Sequence, residues 1–273
     1  MLAIKNNIMA ANAARNLGVS YDNLAKSVER LSSGLRINSA KDDAAGLAVR
    51  ELMRAEIAVL QQGARNAMDG ISMLQTFEGA MGTMDEVLVR MKQLAEQAST
   101  GSYSSDQRTI MNNEFREMAA EINRIAGATA FNGNTLLNSA AATVSIQFGA
   151  GTIDNVDIIG CNMTSSGLSI NSGAASISTA SAAQSALATI ASAITAKDTA
   201  RARFGYKMNR LESTISVINN QAENLMAAES RISDVDVATE MANMTRTQVL
   251  AQAGVAMLAQ ANTVPQMALS LLR

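Results

Sequence analysis

The residue types that chemistry most often recruits are thinly spread in this chain. Asp42 and Asp43 are adjacent carboxylates beside Lys41. Paired acids can do general acid–base work, because each raises the pKa of its neighbour. The same pair also suits a helix start, where carboxylates accept from free N–H groups and meet the positive end of the helix dipole. No nucleophile signature stands near them, so stabilising a helix N-terminus is the better reading. Cys161 is alone, which rules out an intramolecular disulfide and a cysteine metal cluster. Histidine is absent, so the thiol has no histidine to activate it, and the commonest transition-metal ligand is missing as well. A half-buried structural cysteine at a predicted strand end fits better than a nucleophile or a cross-link.

The methionines fall mainly on apolar seams and read as core filler, not as a copper ligand set. Asn162-Met163-Thr164 and Asn243-Met244-Thr245 match the weak N-glycosylation pattern, the second inside a predicted packed helix. No residue is assigned as catalytic, cofactor-binding or metal-ligating, and no cofactor is implied. The net charge of −2 and the lack of any Lys/Arg run leave no nucleic-acid footprint.

The elements that hold these residues are helical. Hydrophobic residues make up 48% of the 273 positions and aromatic ones only 3%, so Ala, Leu, Ile, Val and Met supply the apolar mass. The single proline is Pro265. Leu17, Tyr21, Leu24, Val28, Leu31 and Leu35 step by four and three, a heptad seam. Gly34 and "INSAKDD" interrupt it, and Ser39 with Asp42 reads as a capping pair for the next helix. That helix is expected from about Asp43 to Ala98, with Met81, Met84, Leu88 and Met91 on one face. Ser104 and Gln107 form a second capping box ahead of the seam Met111, Phe115, Met118, Ile122 and Ile125.

Strand-like alternation occurs only in the middle. Val144, Ile146 and Phe148, then Val156 and Ile158, flank "GAG" and predict one β-hairpin at about 143–159. The Ser/Ala/Gly-rich stretch after it reads as a surface loop leading into a helix. From about Ala182 to Glu229 the helical seam returns through Phe204, Met208, Leu211, Ile215, Ile218, Ala222 and Leu225. A last helix is expected from about Val235 to Asn262, with Val255 and Leu258 on its seam and a stop at Pro265. Gln248 sits in that seam, either to fix register or as a tolerated polar residue.

The expected fold is mainly α: a long antiparallel helical bundle or coiled coil with one small β-hairpin in the middle. The first and last segments pair with each other, and so do the inner helices. The expected parts are residues 1–42 and 233–273 as two halves of an inner core domain. Residues 43–181 and 182–232 form an outer helical domain.

The tail frames the functional question. From Thr247 to Leu272 there is no charged residue, although Gln248, Gln252, Gln260, Asn262 and Gln266 punctuate the stretch. A membrane suits those amides poorly, since each is costly in hydrocarbon unless paired. Protein neighbours satisfy them by hydrogen bonds, and repeated copies of one chain are the simplest source. The N-terminus shows neither the apolar core nor the basic-then-apolar order of a signal peptide, so export by a signal-less route is left open.

"LSSGLRINSAKDDAAGLAV" (Leu31 to Val49) resembles the N-terminal signature of bacterial flagellins. "NAMDGISMLQTFEGAM" and "FNGNTLL" are similar to the family further on, and "ESRISDVDVATEMANMTRTQVLAQAGVAMLAQANTVPQMALSLL" to its C-terminal signature. The resemblance covers essentially the whole chain and implies a minimal flagellin with almost no projecting domain. It implies a secreted structural subunit of an extracellular motility filament, polymerising through paired terminal helices. Leu17, Tyr21, Leu24, Val28, Leu31, Leu35, Val255, Leu258, Met267, Leu269, Leu271 and Leu272 are the expected assembly surface.

The implied partners are other flagellin subunits, hook-associated and cap proteins, the flagellar type III export apparatus, and an export chaperone on the C-terminal segment. The family's vertebrate Toll-like receptor reads an arginine, a leucine and a glutamate that Arg90, Leu94 and Glu114 match. Gln93 and Glu96 depart from the usual flanking residues. The resemblance also makes the Ser/Thr-rich run from Thr164 to Ser185 a candidate for O-linked sugars, although chance composition explains it equally well. A hook–filament junction protein and a secreted adhesin-like module are the alternatives. The near-complete C-terminal signature argues against the first and the thin middle region against the second. An enzyme is the third class, but the zinc-protease insert of some flagellins needs H-E-x-x-H, which a chain without His lacks.

Overall fold

A computed structural model of the chain describes residues 6–151, 153–171 and 175–270, with side chains as far as 264. The elements in chain order are α1 (Ile8–Ser33), α2 (Ala44–Ser99), α3 (Ser105–Ala128), β1 (Thr143–Gln147), β2 (Asn155–Ile159), α4 (Ala180–Ser233) and α5 (Val237–Ser270). The chain divides into an end unit, Met1–Ala55 with Asn224–Arg273, and an inner unit, Glu56–Glu223.

The inner unit holds most of the buried apolar residues. Phe77, Met81, Met84, Leu88 and Met91 step along α2 by four and three and are fully buried, as the spacing predicts. Phe115 and Ile122 of α3 and Leu211 of α4 close on the same core. Gln221 pairs with Glu56, Arg201 with Glu78, and Lys197 with Asp85, so α4 runs antiparallel to α2. Lys197 is 1% exposed, and its ammonium is held between Asp85 and Asp198. Sequence periodicity does not flag it, because a lysine on a helix is expected in water. The box of Ser104 and Gln107 forms at the start of α3, with both reciprocal bonds present.

The hairpin forms as expected, with Val144 opposite Ile158 and Ile146 opposite Val156. It lies close against α2 because Gly63 has no side chain. A Cβ there would stand 2.0 Å from the Phe148 carbonyl oxygen. Beside it, Asn66 Nδ2 donates to the Gln147 carbonyl at 2.9 Å.

Three expectations need correction. The cap of α2 is Asp43, whose Oδ1 accepts from Gly46 N at 2.8 Å. Ser39 and Asp42 instead close their own turn one step earlier, with Ser39 Oγ donating to the Asp42 carboxylate at 3.0 Å. The stretch after the hairpin is more than a surface loop, because Met163, Leu168, Ile170 and Ile177 are buried in the core of the inner unit. Its backbone is tied down by α3: Asn123 Oδ1 accepts from Ser165 N, and Asn112 Oδ1 from Ile177 N. Finally, α5 continues through Pro265 to Ser270. The proline removes one backbone N–H, the one that would serve Ala261, without ending the helix.

Candidate self-assembly surface

The end unit is built on α1 and α5. Asn7 lies near Ala261, Leu17 packs against Gly254, and Arg30 faces Glu240, so the two helices run antiparallel. The stripe of α1 that is covered is Ala10, Ala13, Leu17, Ser20, Leu24, Ser27 and Leu31. The stripe of α5 that is covered is Glu240, Met244, Thr247, Ala251, Gly254, Leu258 and Ala261. Both follow the three–four spacing of helices in close contact. Small residues dominate, which brings the two backbones near.

Each end of this pair is pinned. Asn7 caps α1 by accepting from Ala10 N at 3.0 Å and donates its Nδ2 to the Ala261 carbonyl at 2.7 Å. At the far end, Gly34 terminates α1 in the left-handed region at φ 73°, with its N–H on the Arg30 carbonyl. Arg36 N then donates to Ser233 O, and Val235 N to Gly34 O. Asp236 caps α5, and hydrogen bonds from Thr239 hold its carboxyl below the usual range. Arg30, in the last turn of α1, meets Glu240, in the first turn of α5, at 3.7 Å. Both charges sit at the helix ends that favour them.

The pairing leaves much of the apolar surface open. Of the sequence-predicted seam, Leu17, Leu24, Leu31 and Leu35 are half-buried, while Tyr21 is 51% exposed and Val28 is also exposed. On α5, Leu258 is half-buried, Val255 and Gln248 are exposed, Leu250 is 52% exposed and Met257 63%. Gln248 therefore sets no register within this chain. Met267, Leu269, Leu271 and Leu272 lie outside the residues whose side chains are described. Ile8, Met9 and Val19 add to the open face of α1, and Val237, Met241 and Val249 to that of α5. The sequence seams locate the apolar helices but do not separate these two sets, because Ser and Ala take covered places that a hydrophobicity pattern assigns to larger residues.

The other candidates stand in the inner unit. Arg90 donates from Nε and a terminal nitrogen to Glu114 Oε1, at 2.9 and 2.6 Å, on the surface of α2 and α3. Leu94 is 2% exposed and belongs to the core behind them. Cys161 is buried, and burial pushes its thiol up to about 11, opposed weakly by the charge of Arg203. A thiol held protonated is a poor nucleophile. Among the described residues no cluster of His, Cys, Asp and Glu could hold a metal ion. No described helix is long and apolar enough to cross a membrane.

The family model for the bacterial flagellin N-terminal helical region matches residues 4–142, and that for the C-terminal helical region matches residues 187–272. A flagellin of Halalkalibacterium halodurans is 44% identical over 272 residues, covering 100% of both chains. The flagellar filament 33 kDa core protein of Treponema phagedenis is 40% identical over 286 residues, again covering 100% of both. The crystal structure of Bacillus cereus flagellin superposes with a TM-score of 0.51 at 29% identity, over 60% of this chain and 94% of that one.

Proposed function

Because the chain belongs to the bacterial flagellin family, we propose that it is a structural subunit of the extracellular flagellar filament, polymerising through the open apolar faces of α1 and α5. The family is structural, not enzymatic. The observation that carries the reading is the uncovered apolar surface of the end unit. Met9, Tyr21, Leu250 and Met257 are each about half exposed or more in a single chain. Large apolar side chains left open in number on both helices of one pair mark a place where protein binds. Each copy presents the same faces, and head-to-tail contacts that do not close generate helical polymers.

The amides along α5 fit this reading. Gln252 and Gln260 are exposed and uncharged, and a neighbouring subunit can satisfy them where lipid cannot. Hook-associated and cap proteins meet the same ends when a filament starts and stops. An export chaperone covers the C-terminal segment before the type III apparatus passes it out, since an exposed apolar tail otherwise polymerises early. In hosts, the Toll-like flagellin receptor reads the α2–α3 surface through Arg90 and Glu114, with Leu94 holding the two helices together beneath. The test of the central reading is direct: purified monomer is added to sheared filament seeds and followed by electron microscopy. Elongation is expected, and monomer that never extends a seed overturns the proposal.

A further inference from the structure

We infer that Asn7 and Pro265 form a register latch between the two ends of the chain, which fixes how α1 and α5 are staggered in every subunit. In an α-helix each carbonyl accepts from the N–H four residues on. Proline has no N–H, so Pro265 leaves the carbonyl of Ala261 without its helical donor. That carbonyl belongs to a residue only 9% exposed, where a lost bond is costly. The donor it receives is the side-chain amide of Asn7, 254 positions away, at 2.7 Å. Asn7 is fixed in turn, because its Oδ1 caps α1 through Ala10 N.

The arrangement reads position. One residue to either side, the carbonyls of Gln260 and Asn262 have helical donors of their own, in Val264 and Gln266. Sliding α5 along α1 by one residue therefore sets the Asn7 amide against an occupied carbonyl and leaves Ala261 unserved. The covered stripes discriminate less, since Ala, Ser and Gly accept neighbours of many shapes. At the opposite end the backbone bridge between Leu35 and Asp234 fixes the joint. The latch does the same for the free ends, 26 residues of α1 away. A fixed stagger matters to a polymer because the open rows of the two helices must meet their neighbours in one arrangement. Asn7 thus acts as a positioning residue for assembly, and the inference rests on the filament reading above.

The test uses Asn7→Ser, Pro265→Ala and the double variant in the full-length chain. Serine caps a helix about as well as asparagine and is uncharged, but it cannot reach Ala261. Alanine at 265 restores the missing N–H. The critical concentration for seed elongation is measured for each, with the melting of the inner unit as a folding control. Asn7→Ser is expected to raise the critical concentration about tenfold, the equivalent of about 1.4 kcal/mol and one hydrogen bond. In the Pro265→Ala background the same change is expected to cost less than about twofold. Asn7→Ser elongating at the wild-type concentration overturns the latch, and so does an equal cost in both backgrounds. Wild-type monomer that fails to elongate seeds overturns the filament reading itself, which separates the two failures.

Discussion

The inner unit and the end unit use the same amino acids to opposite effect. In the inner unit most large apolar side chains of the helix seams are buried in one core, Phe77, Met84, Leu88, Ile122 and Leu211 among them. In the end unit the fully covered positions of α1 and α5, among the described residues, are Ser27, Glu240, Ala251 and Ala261. The large apolar residues there are half-covered or open. The two units find their stability in different places. The inner unit buries most of its large seam side chains within one chain, although Ile110, Tyr206 and Val217 stay exposed. The end unit closes two pinned helix ends and one small-residue stripe, and leaves Tyr21, Leu250, Val255 and Met257 open to solvent in the single chain.

One type of substitution should split the two. Ile122→Asp places an unpaired charge at a position 0% exposed and is expected to unfold the inner unit, a cost of more than about 4 kcal/mol. Leu211→Asp is expected to do the same. Leu250→Asp or Met257→Asp puts the charge on a surface the monomer already shows to water. The monomer's melting curve should stay unchanged, within about 0.5 kcal/mol, while seeded elongation stops. Circular dichroism melts and electron microscopy read the two outcomes. A Leu250→Asp chain that elongates normally breaks the contrast, as does an Ile122→Asp chain that melts like the wild type.

Much of this contrast was legible in the sequence, and the exceptions have physical causes. The seams of α2, α3 and α4 show because large apolar residues recur at three and four. The pairing of the ends shows because the first and last segments each carry such a seam. Residues 164–178 gave no period, since Leu168, Ile170 and Ile177 are buried from an irregular backbone that Asn112 and Asn123 hold in place. Pro265 reads as a helix stop in the sequence, and what offsets its lost bond comes from Asn7, at the other end of the chain. No local window contains both residues. The cap of α2 shifted from Ser39 and Asp42 to Asp43 because those two residues satisfy each other. Lys197 is buried because Asp85 and Asp198 bracket it, a fact of tertiary placement and not of spacing.

The inner unit should also be sensitive where backbone meets backbone. Gly63→Ala drives a methyl group into the Phe148 carbonyl, which the hairpin cannot yield without losing its register on α2. A loss of about 3 kcal/mol is expected in urea titrations of the monomer. Gly18→Ala is the matching change in the end unit, where an added Cβ meets nothing within 4 Å. It should leave the monomer unharmed, and on propensity grounds stabilise α1 by about 0.5–1 kcal/mol once the helix is formed. Equal losses at the two glycines would show that the hairpin is not held against α2 as described.

Titration gives a smaller effect confined to the inner unit. Burial raises the Cys161 thiol to about 11 from an ordinary value of 9.0. Below pH 9 the thiol is protonated in both folded and unfolded chains, and its contribution is fully present. Between pH 9 and 11 the unfolded chain releases the proton while the folded chain keeps it, so stability falls as pH rises. The loss is at most about 2 kcal/mol, since the site is not wholly sealed from water. Urea midpoints at pH 8.5 and 10.5 should therefore move apart more in the wild type than in Cys161→Ala. Identical shifts in the two proteins would mean that another group titrates.

The smallest expected effect on stability lies at Arg90 and Glu114, and its smallness is what makes the pair informative. The two side chains are 50% and 40% exposed, so their ion pair is screened by water and contributes less than about 1 kcal/mol to the monomer. Leu94, behind them, is core, and Leu94→Ala should cost about 2–4 kcal/mol through the cavity it leaves. A receptor that reads this surface instead meets the charges directly, and removing one partner of a desolvated pair typically costs about 2–5 kcal/mol in binding. Arg90→Ala and Glu114→Ala are therefore expected to melt like the wild type yet to lower receptor signalling at least tenfold. Leu94→Ala is expected to lower the melting temperature, and to weaken signalling only as far as the α2–α3 surface loosens. Signalling that stays at full strength in both charge variants would show that this surface is structural alone. A large fall in melting temperature for Arg90→Ala would show that the pair belongs with the core of the inner unit and not with its outward face.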